Sequence, residues 1–183
     1  MLYIIRHGKT DWNNKYKVQG RTDIPLNEEG RKMAEAAAEE YKDVHFDIAF
    51  SSPLIRARET AEILLKNRNI PIIYDDRLME MSFGIYEGTE KCFEKPDCPL
   101  RVFFQKPEEY TTPPEGAESI EELFQRTGEF LREKVQPELD RGKDVLIIGH
   151  GAMNSSIVCQ VRKLPVKSLW DAGIPNCKLM RLI

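Results

Sequence analysis

Two short apolar runs, each ending in a histidine and a glycine, constrain the fold of this chain more than any other feature. They are Ile4-Ile5-Arg6-His7-Gly8 and Ile147-Ile148-Gly149-His150-Gly151. Short apolar runs of this kind are typical of strands buried in a parallel sheet. Ligands of open α/β sheets bind beyond the carboxyl ends of the strands, so two strand-end histidines can converge on one crevice. The alternative, two unrelated polar turn residues, explains either histidine alone better than it explains both.

Segments of helical and extended character alternate along the rest of the chain. Asn27 is placed to cap a helix over Glu28 to Tyr41. Ser52-Pro53 resembles a cap with proline at the first helical position, opening a helix to about Lys66. Ser119-x-x-Glu122 is a capping box for a helix running to about Pro137. The other predicted elements are strands at 2–5, 47–51, 71–74, 145–148 and 177–183 and a helix at 153–162.

This alternation predicts the fold class. We expect a single domain over residues 1–183, built as a three-layer α/β/α sandwich with a mostly parallel central sheet. Residues 81–116 are irregular and rich in proline and aromatic residues. We expect them to form a small cap-like insertion over the active site, where such excursions often shape substrate choice.

Composition and charge exclude several classes of protein. No segment approaches the roughly 20 apolar residues that a membrane span requires. The net charge of -3 gives no overall attraction for nucleic acid, and we expect no nucleic-acid partner. The amino terminus becomes basic too early for a secretion signal, which indicates a cytoplasmic location. The four cysteines lack CxxC spacing and fit free thiols better than a disulfide framework, although Cys92 and Cys98 could pair.

The residues beside the two histidines suit metal-free phosphoryl transfer. Such a reaction needs a nucleophile, fixed cations for the phosphate oxygens and an acid for the leaving oxygen. An imidazole, with an unperturbed pKa of about 6.5, is a usable nucleophile at neutral pH. Arg6 and Arg56 can bind phosphate oxygens bidentately. Three histidines without ligand spacing make a metal hydrolase a weak alternative, and we expect neither a metal nor another cofactor.

Four motifs occur in order along the chain. They read Arg6-His7-Gly8-Lys9-Thr10 with Asn13 and Gln19-Gly20 after it, Ser51-Ser52-Pro53-Leu54-Ile55-Arg56-Ala57, Leu78-x-Glu80-x-x-Phe83-Gly84-x-x-Glu87-Gly88, and Gly149-His150-Gly151. In sequence and order they resemble the motifs of the histidine phosphatase superfamily, the phosphoglycerate mutase-like proteins, and they cover essentially the whole chain.

The resemblance implies a role for each matched residue. His7 corresponds to the phosphorylated histidine, and Glu80 to the carboxyl group that protonates the leaving group, with Glu87 as its rival in the same motif. Arg6, Arg56 and His150 correspond to residues that surround the phosphate. The further expected phosphate or substrate contacts are Asn13, which could instead only cap a turn, and Gly8, Gln19, Gly20 and Gly151. Lys9 departs from the family's usual glutamate or glutamine and is expected to add positive charge at the mouth of the site.

A phosphatase fits the sequence better than a mutase. Mutases of this family are longer and carry an adjacent arginine pair after the acidic motif, whereas residues 81–116 contain no such pair. The Gly116-x-Glu118-Ser119 segment also resembles the small phosphatase branch. We expect a small-molecule phosphate monoester as substrate; candidates are sugar phosphates, a nucleotide-loop phosphate as in α-ribazole phosphatase, and protein phosphohistidine. A mutase, a non-catalytic phosphate-binding module and a homodimer remain open alternatives.

Overall fold

The computed structural model describes all residues from 1 to 183 and contains one five-stranded sheet. The strands are β1 (Leu2–Arg6), β2 (Ile48–Ser51), β3 (Ile72–Tyr74), β4 (Val145–Gly149) and β5 (Leu179–Arg181). Their order across the sheet is β3-β2-β4-β1-β5. All neighbouring strands are parallel except the β1–β5 pair, which is antiparallel. The predicted mostly parallel sheet is confirmed.

Seven α-helices complete the fold. They are α1 (Asp11–Asn14), α2 (Glu28–Glu40), α3 (Ile55–Leu65), α4 (Leu100–Gln105), α5 (Ile120–Phe130), α6 (Gln136–Asp140) and α7 (Gly151–Arg162). Helices α2 and α3 pack on one face of the sheet and α5 and α7 on the other, which is the predicted three-layer sandwich.

The central strands are buried on both faces, so their apolar residues divide between two cores. On β1, Ile4 lies in the core under α5 and α7, whereas Ile5 lies in the core under α2 and α3. On β4, Ile147 and Ile148 divide in the same way. Successive side chains of a strand point to opposite faces, which explains why these runs are continuously apolar. The sheet is therefore a rigid base for the loops at its carboxyl edge.

Local signals placed most helix starts correctly, with one exception. The side chains of Asn27 and Ser119 cap α2 and α5 as predicted. The prediction that Ser52-Pro53 opens a helix is wrong, because α3 begins at Ile55 and has no side-chain cap. The Ser52 hydroxyl group lies instead 2.7 Å from Nε2 of His150. The Ser52 side chain, which the local pattern assigned to a helix cap, therefore contacts a residue that is distant in the chain.

The helix that begins at Ile120 also runs further than expected. It continues from α5 through one wide π-helical turn, Leu131–Val135, into α6 and ends at Asp140. Pro137 lies in the first turn of α6, so it does not end the helix. The wide π-helical turn just before Pro137 interrupts the regular i→i−4 hydrogen bonds, so a residue without an N–H group is tolerated there.

Residues 81–116 contain α4 and several short 3₁₀ turns. Their inner side chains, including Phe103 and Tyr110, belong to the core on the α5–α7 face. Cys92 and Cys98 are joined as a disulfide in the structure, so the expectation of four free thiols is wrong for this pair. The Cα atoms of the two cysteines lie 5.7 Å apart because the intervening chain turns back on itself. Cys159 and Cys177 are free and buried.

None of the helices combines the length and the apolar character that crossing a bilayer requires.

Candidate active site

His7 and His150 lie side by side at the carboxyl edge of the sheet. They directly follow β1 and β4, which are adjacent and parallel with Arg6 opposite Gly149. The backbone N–H of His7 donates to the carbonyl oxygen of Gly149 at 2.9 Å. The centroids of the two imidazole rings are 5.2 Å apart. The predicted convergence of the two strand ends is therefore present.

The surroundings of His7 determine which ring nitrogen is free. Its Nδ1 atom lies 2.6 Å from the carbonyl oxygen of Gly8, which can only accept, so Nδ1 carries the hydrogen and Nε2 keeps its lone pair. Burial lowers the pKa of His7 well below 6.5, and the positive charges of Arg56 and Arg6 lower it further. His7 is therefore a neutral imidazole at neutral pH, with Nε2 available as a nucleophile.

Ser52 favours the same tautomer in His150, with the ring hydrogen on Nδ1. The Ser52 Oγ atom accepts from the backbone N–H of Leu54 at 3.3 Å and lies 2.7 Å from Nε2 of His150. The hydroxyl hydrogen is therefore free to be donated to Nε2, which leaves the ring hydrogen on Nδ1. The Nδ1 atom is buried and has no partner in the protein. It can donate to a phosphate oxygen.

Two buried arginines supply positive charge beside the histidines. Arg56 is completely buried, and its Nη2 and Nη1 atoms donate to the carbonyl oxygens of Gly20 at 2.6 Å and Thr22 at 2.9 Å. Burial lowers the pKa of Arg56 to about 10, so the guanidinium stays charged at neutral pH. Arg6 donates to the carbonyl oxygen of Ile174 at 3.2 Å. The Nε atoms of both arginines are buried without partners.

Glu80 is docked on the amino-terminal end of α7. Its Oε1 atom accepts from the backbone N–H groups of Met81 at 2.9 Å and Met153 at 3.0 Å. Its Oε2 atom accepts a single bond, from Ala152 at 3.2 Å. Free N–H groups at a helix amino terminus are natural donors to a carboxylate. Oε2 thus keeps capacity for a further partner on the side of the site.

Glu87, the sequence-based rival of Glu80, is used structurally. Its two carboxylate oxygens accept from the backbone N–H groups of Arg21 at 3.0 Å, Thr22 at 2.9 Å and Phe83 at 3.1 Å. These hydrogen bonds join the segment that contains Arg21 and Thr22 to the segment that contains Phe83. This geometry favours Glu80 for proton transfer.

His7, both arginines and Glu80 line one cavity of about 260 Å³; His150 lies beside His7 but is not part of the lining. Of the predicted substrate contacts, Asn13, Gln19, Gly20 and Gly151 also line it, and Gly8 does not. Asn13 has the predicted capping role as well, because its side chain completes a capping box with Thr10. An added Cβ at Gly151 would make only ordinary contacts, 3.6 Å from Oε2 of Glu80, whereas one at Gly20 would lie 2.1 Å from Oε1 of Glu87.

Gly8 allows two backbone segments to pack closely. An added Cβ at Gly8 would lie 2.5 Å from the carbonyl oxygen of Gly30, and one at Gly30 would lie 2.0 Å from the carbonyl oxygen of Lys9. The loop after β1 therefore rests directly on the backbone of α2, which fixes the loop that carries His7.

Phe83 and Phe104, from the aromatic-rich segment 81–116, also line the cavity. The sequence did not indicate the four remaining lining residues, Lys17, Val18, Ala152 and Trp170. The other aromatic residues of that segment do not line it, since Phe103 and Tyr110 are buried in the core and Phe93 is exposed. Lys9, the expected cation at the mouth, pairs with Glu29 at 2.6 Å and does not line the cavity. The aromatic content of residues 81–116 was the signal for Phe104; nothing in the pattern singled out Lys17.

The structure contains no group of three or more His, Cys, Asp or Glu side chains arranged to hold a metal ion.

Comparison with known proteins identifies the family. The model of the histidine phosphatase superfamily (branch 1) matches residues 2–183, and the chain belongs to this superfamily. A 2,3-bisphosphoglycerate-dependent phosphoglycerate mutase from Cytophaga hutchinsonii is 36% identical over 90% of this chain and 78% of the relative. The phosphatase PhoE of Bacillus subtilis is 35% identical over 98% of this chain and 82% of the relative. The solved structure of Bacillus stearothermophilus YhfR superposes with a TM-score of 0.83 at 32% identity, covering 97% of this chain and 88% of that structure.

Proposed function

We propose that this protein is a metal-independent phosphatase that hydrolyses small phosphate monoesters through a phosphohistidine on His7. The observation that carries the proposal is the neutral His7 imidazole, with Nδ1–H bound to Gly8 and Nε2 free, beside two buried guanidinium groups. Such a site combines a nucleophile with fixed positive charge for the phosphate oxygens. Asn13, Gln19 and Gly151 complete the phosphate and substrate contacts.

In the first step, Nε2 of His7 attacks the phosphorus atom while the bond to the ester oxygen breaks. Arg6, Arg56 and Nδ1–H of His150 stabilise the charge on the three phosphate oxygens. Glu80, entering this step as the carboxylic acid, gives its proton to the departing oxygen. The products are an alcohol, phosphohistidine and the Glu80 carboxylate.

In the second step, water attacks the phosphorus atom of the phosphohistidine. The Glu80 carboxylate accepts a proton from that water, the P–N bond breaks, and inorganic phosphate and neutral His7 are released. The Oε2 atom is suited to carry the proton in both steps, since it accepts one backbone bond whereas Oε1 accepts two. The carboxyl group thus ends the cycle as it began.

The lining of the cavity supports hydrolysis over a mutase reaction. The basic residues of 81–116 are Lys91, Lys95, Arg101 and Lys106, and none of them lines the cavity. Apart from the residues proposed above to contact the phosphate and substrate, the lining of the cavity is apolar except for Lys17. The site lacks the cluster of cations that a mutase of this family places around a substrate carboxylate.

A mutase is the second candidate, because the Cytophaga hutchinsonii relative bears that name at 36% identity. The two reactions differ in what accepts the phosphoryl group. Incubation with 3-phosphoglycerate, with and without 2,3-bisphosphoglycerate, separates them: a phosphatase releases inorganic phosphate in both cases, whereas a mutase forms 2-phosphoglycerate and releases little phosphate.

The proposal is tested by turnover of a panel of phosphate monoesters in the presence of EDTA. Wild type is compared with His7→Ala and with His45→Ala, which removes an exposed histidine bonded only to Asp47. Rapid quenching is expected to trap an acid-labile phosphoenzyme in wild type and in His45→Ala only. Turnover that is indifferent to His7 contradicts the mechanism, and phosphate binding without turnover in wild type favours a non-catalytic binding module.

A further inference from the structure

A partly buried ion-pair cluster lies behind the loop that carries Glu80. It consists of Glu118, just before α5, Arg126 within α5, and Arg21, between α1 and α2. Arg126 donates to both carboxylate oxygens of Glu118, from Nε to Oε1 at 2.5 Å and from Nη2 to Oε2 at 2.9 Å. Nη2 of Arg21 lies 3.6 Å from Oε2 of Glu118. The Glu118 side chain is only 8% exposed and that of Arg126 14%, so the central pair is largely removed from water.

This cluster contacts the backbone of the Glu80 loop along its length. Nη1 of Arg126 donates to the carbonyl oxygen of Arg77, and Nε of Arg21 donates to the carbonyl oxygen of Glu80 at 3.3 Å. The backbone N–H of Ser82 donates to Oε2 of Glu118 at 3.4 Å, and the backbone N–H of Glu118 donates to the carbonyl oxygen of Ser82 at 2.9 Å. The loop is therefore held before Glu80, at Glu80 and after it.

Glu80 is consequently positioned by two separate anchors. Its carboxylate is docked on the amino-terminal end of α7, and its backbone is bound by the cluster. None of Arg21, Glu118 and Arg126 lines the catalytic cavity, so they are not placed to contact substrate. Their connection to the site runs through the loop, and small displacements of a reacting group have large effects on rate.

We propose that Glu118, Arg126 and Arg21 are positioning residues for proton transfer by Glu80, an inference that rests on the proposed phosphatase function. The cluster fixes the position of the Glu80 backbone, and this places Oε2 opposite the leaving oxygen of the substrate. Loss of the cluster lets the loop move and misplaces the proton donor, while His7, His150 and the two arginines keep their places on other elements.

This role has a kinetic signature that general destabilisation does not share. An aryl ester with an acidic phenol as leaving group departs without a proton, whereas an alkyl ester requires one. A misplaced proton donor therefore slows hydrolysis of an alkyl ester much more than that of an activated aryl ester. Loosening of the whole site slows both to the same extent.

The test compares p-nitrophenyl phosphate with benzyl phosphate, which are of similar size but differ in leaving-group acidity. Glu118→Gln is expected to lower kcat/KM about tenfold for benzyl phosphate and less than about threefold for p-nitrophenyl phosphate. Glu129→Gln is the matched control, because Glu129 lines a surface groove together with Arg21, Glu118 and Arg126 but bonds only to Gln125; hydrolysis of both esters should be unaffected. Arg21→Gln, at a side chain that is 39% exposed, should show the same selective loss without risk to folding.

A double-mutant comparison with Glu80→Gln tests whether the cluster affects hydrolysis through Glu80. If the cluster acts through Glu80, adding Glu118→Gln to Glu80→Gln has little further effect on benzyl phosphate. Equal losses on both esters, or a full additional loss in the Glu80→Gln background, overturn the inference. If Glu80→Gln alone shows the leaving-group dependence and the cluster variants do not, only this inference fails. If Glu80→Gln slows both esters equally, the proposed role of Glu80 fails and this inference with it.

Discussion

Ser52 Oγ lies 2.7 Å from Nε2 of His150, although 98 residues separate the two in the chain. Both side chains are completely buried. The backbone N–H of Leu54 donates to the same hydroxyl oxygen, which leaves the hydroxyl hydrogen for the imidazole. Ser52 thereby favours the tautomer in which Nδ1 of His150 carries the ring hydrogen, as the proposed phosphate contact requires.

Ser52→Ala is expected to lower kcat/KM about tenfold, because it leaves a buried ring nitrogen unpaired and the tautomer unfixed. Steady-state kinetics on one monoester measure the effect. Ser51→Ala is the matched control, since the Ser51 hydroxyl is equally buried but donates to the backbone carbonyl oxygen of Ser52. A similar loss in both variants would show that only the packing of this segment matters.

The depressed pKa values of His7 and His150 predict how stability depends on pH. Burial and the charges of Arg56 and Arg6 lower both pKa values well below 6.5. As pH falls below about 6.5, each histidine of the unfolded chain gains a proton that the folded chain does not bind, so stability is complete above that pH and falls below it. We expect a loss of about 1 kcal/mol per histidine at pH 5.5.

Thermal or urea unfolding at pH 7.5 and pH 5.5 measures this loss. His150→Asn removes one of the two groups, so the difference in unfolding free energy between the two pH values should shrink by about half. The comparison uses the difference between pH values within each variant, which separates it from any overall destabilisation. An unchanged difference in the variant would mean that His150 is protonated in the folded state.

The sequence predicted the part of the site that lies at strand ends. The order of motifs and the apolar runs placed His7 and His150 at the same edge of the sheet, and adjacency of β1 and β4 brings them together. Arg56 was singled out by its motif and by the fit of a guanidinium group to phosphate oxygens, and the structure buries it. These predictions succeeded because strand and helix periodicity carries information about position.

The contacts that the sequence did not reveal are those made between distant segments. Glu80 depends on N–H donors of Ala152, 72 residues further along the chain, and no local pattern indicates that docking. Lys9 and Lys17 lie on either side of the short helix α1, and only the path of the chain there places one beside Glu29 and the other at the cavity. The residue type shows which chemistry is possible, but tertiary packing determines which of two residues of the same type reaches the site.

The close contact between Gly30 and Lys9 predicts a strong effect of a single methyl group. Gly30→Ala places a Cβ 2.0 Å from the backbone carbonyl oxygen of Lys9, which cannot rotate away. We expect destabilisation of about 3 kcal/mol and displacement of the loop that follows His7. Gly128→Ala is the matched helical control, because its Cβ would meet only the flexible end of Gln160. Chemical denaturation measures both, and equal stability of the two variants would contradict the packing argument.

Lys17 and Lys9 offer a matched pair for the electrostatics of the cavity. Lys17 is the only lysine that lines it; its Nζ atom lies 3.7 Å from Glu90 and its side chain is 27% exposed. An anionic monoester entering the cavity is attracted by this charge, whereas Lys9 is paired with Glu29 outside. Lys17→Met is expected to raise KM about fivefold with little change in kcat, and Lys9→Met to leave KM within about twofold of wild type. The KM difference should shrink as salt is raised, and a larger effect of Lys9→Met would place the relevant charge at the position first indicated by the sequence.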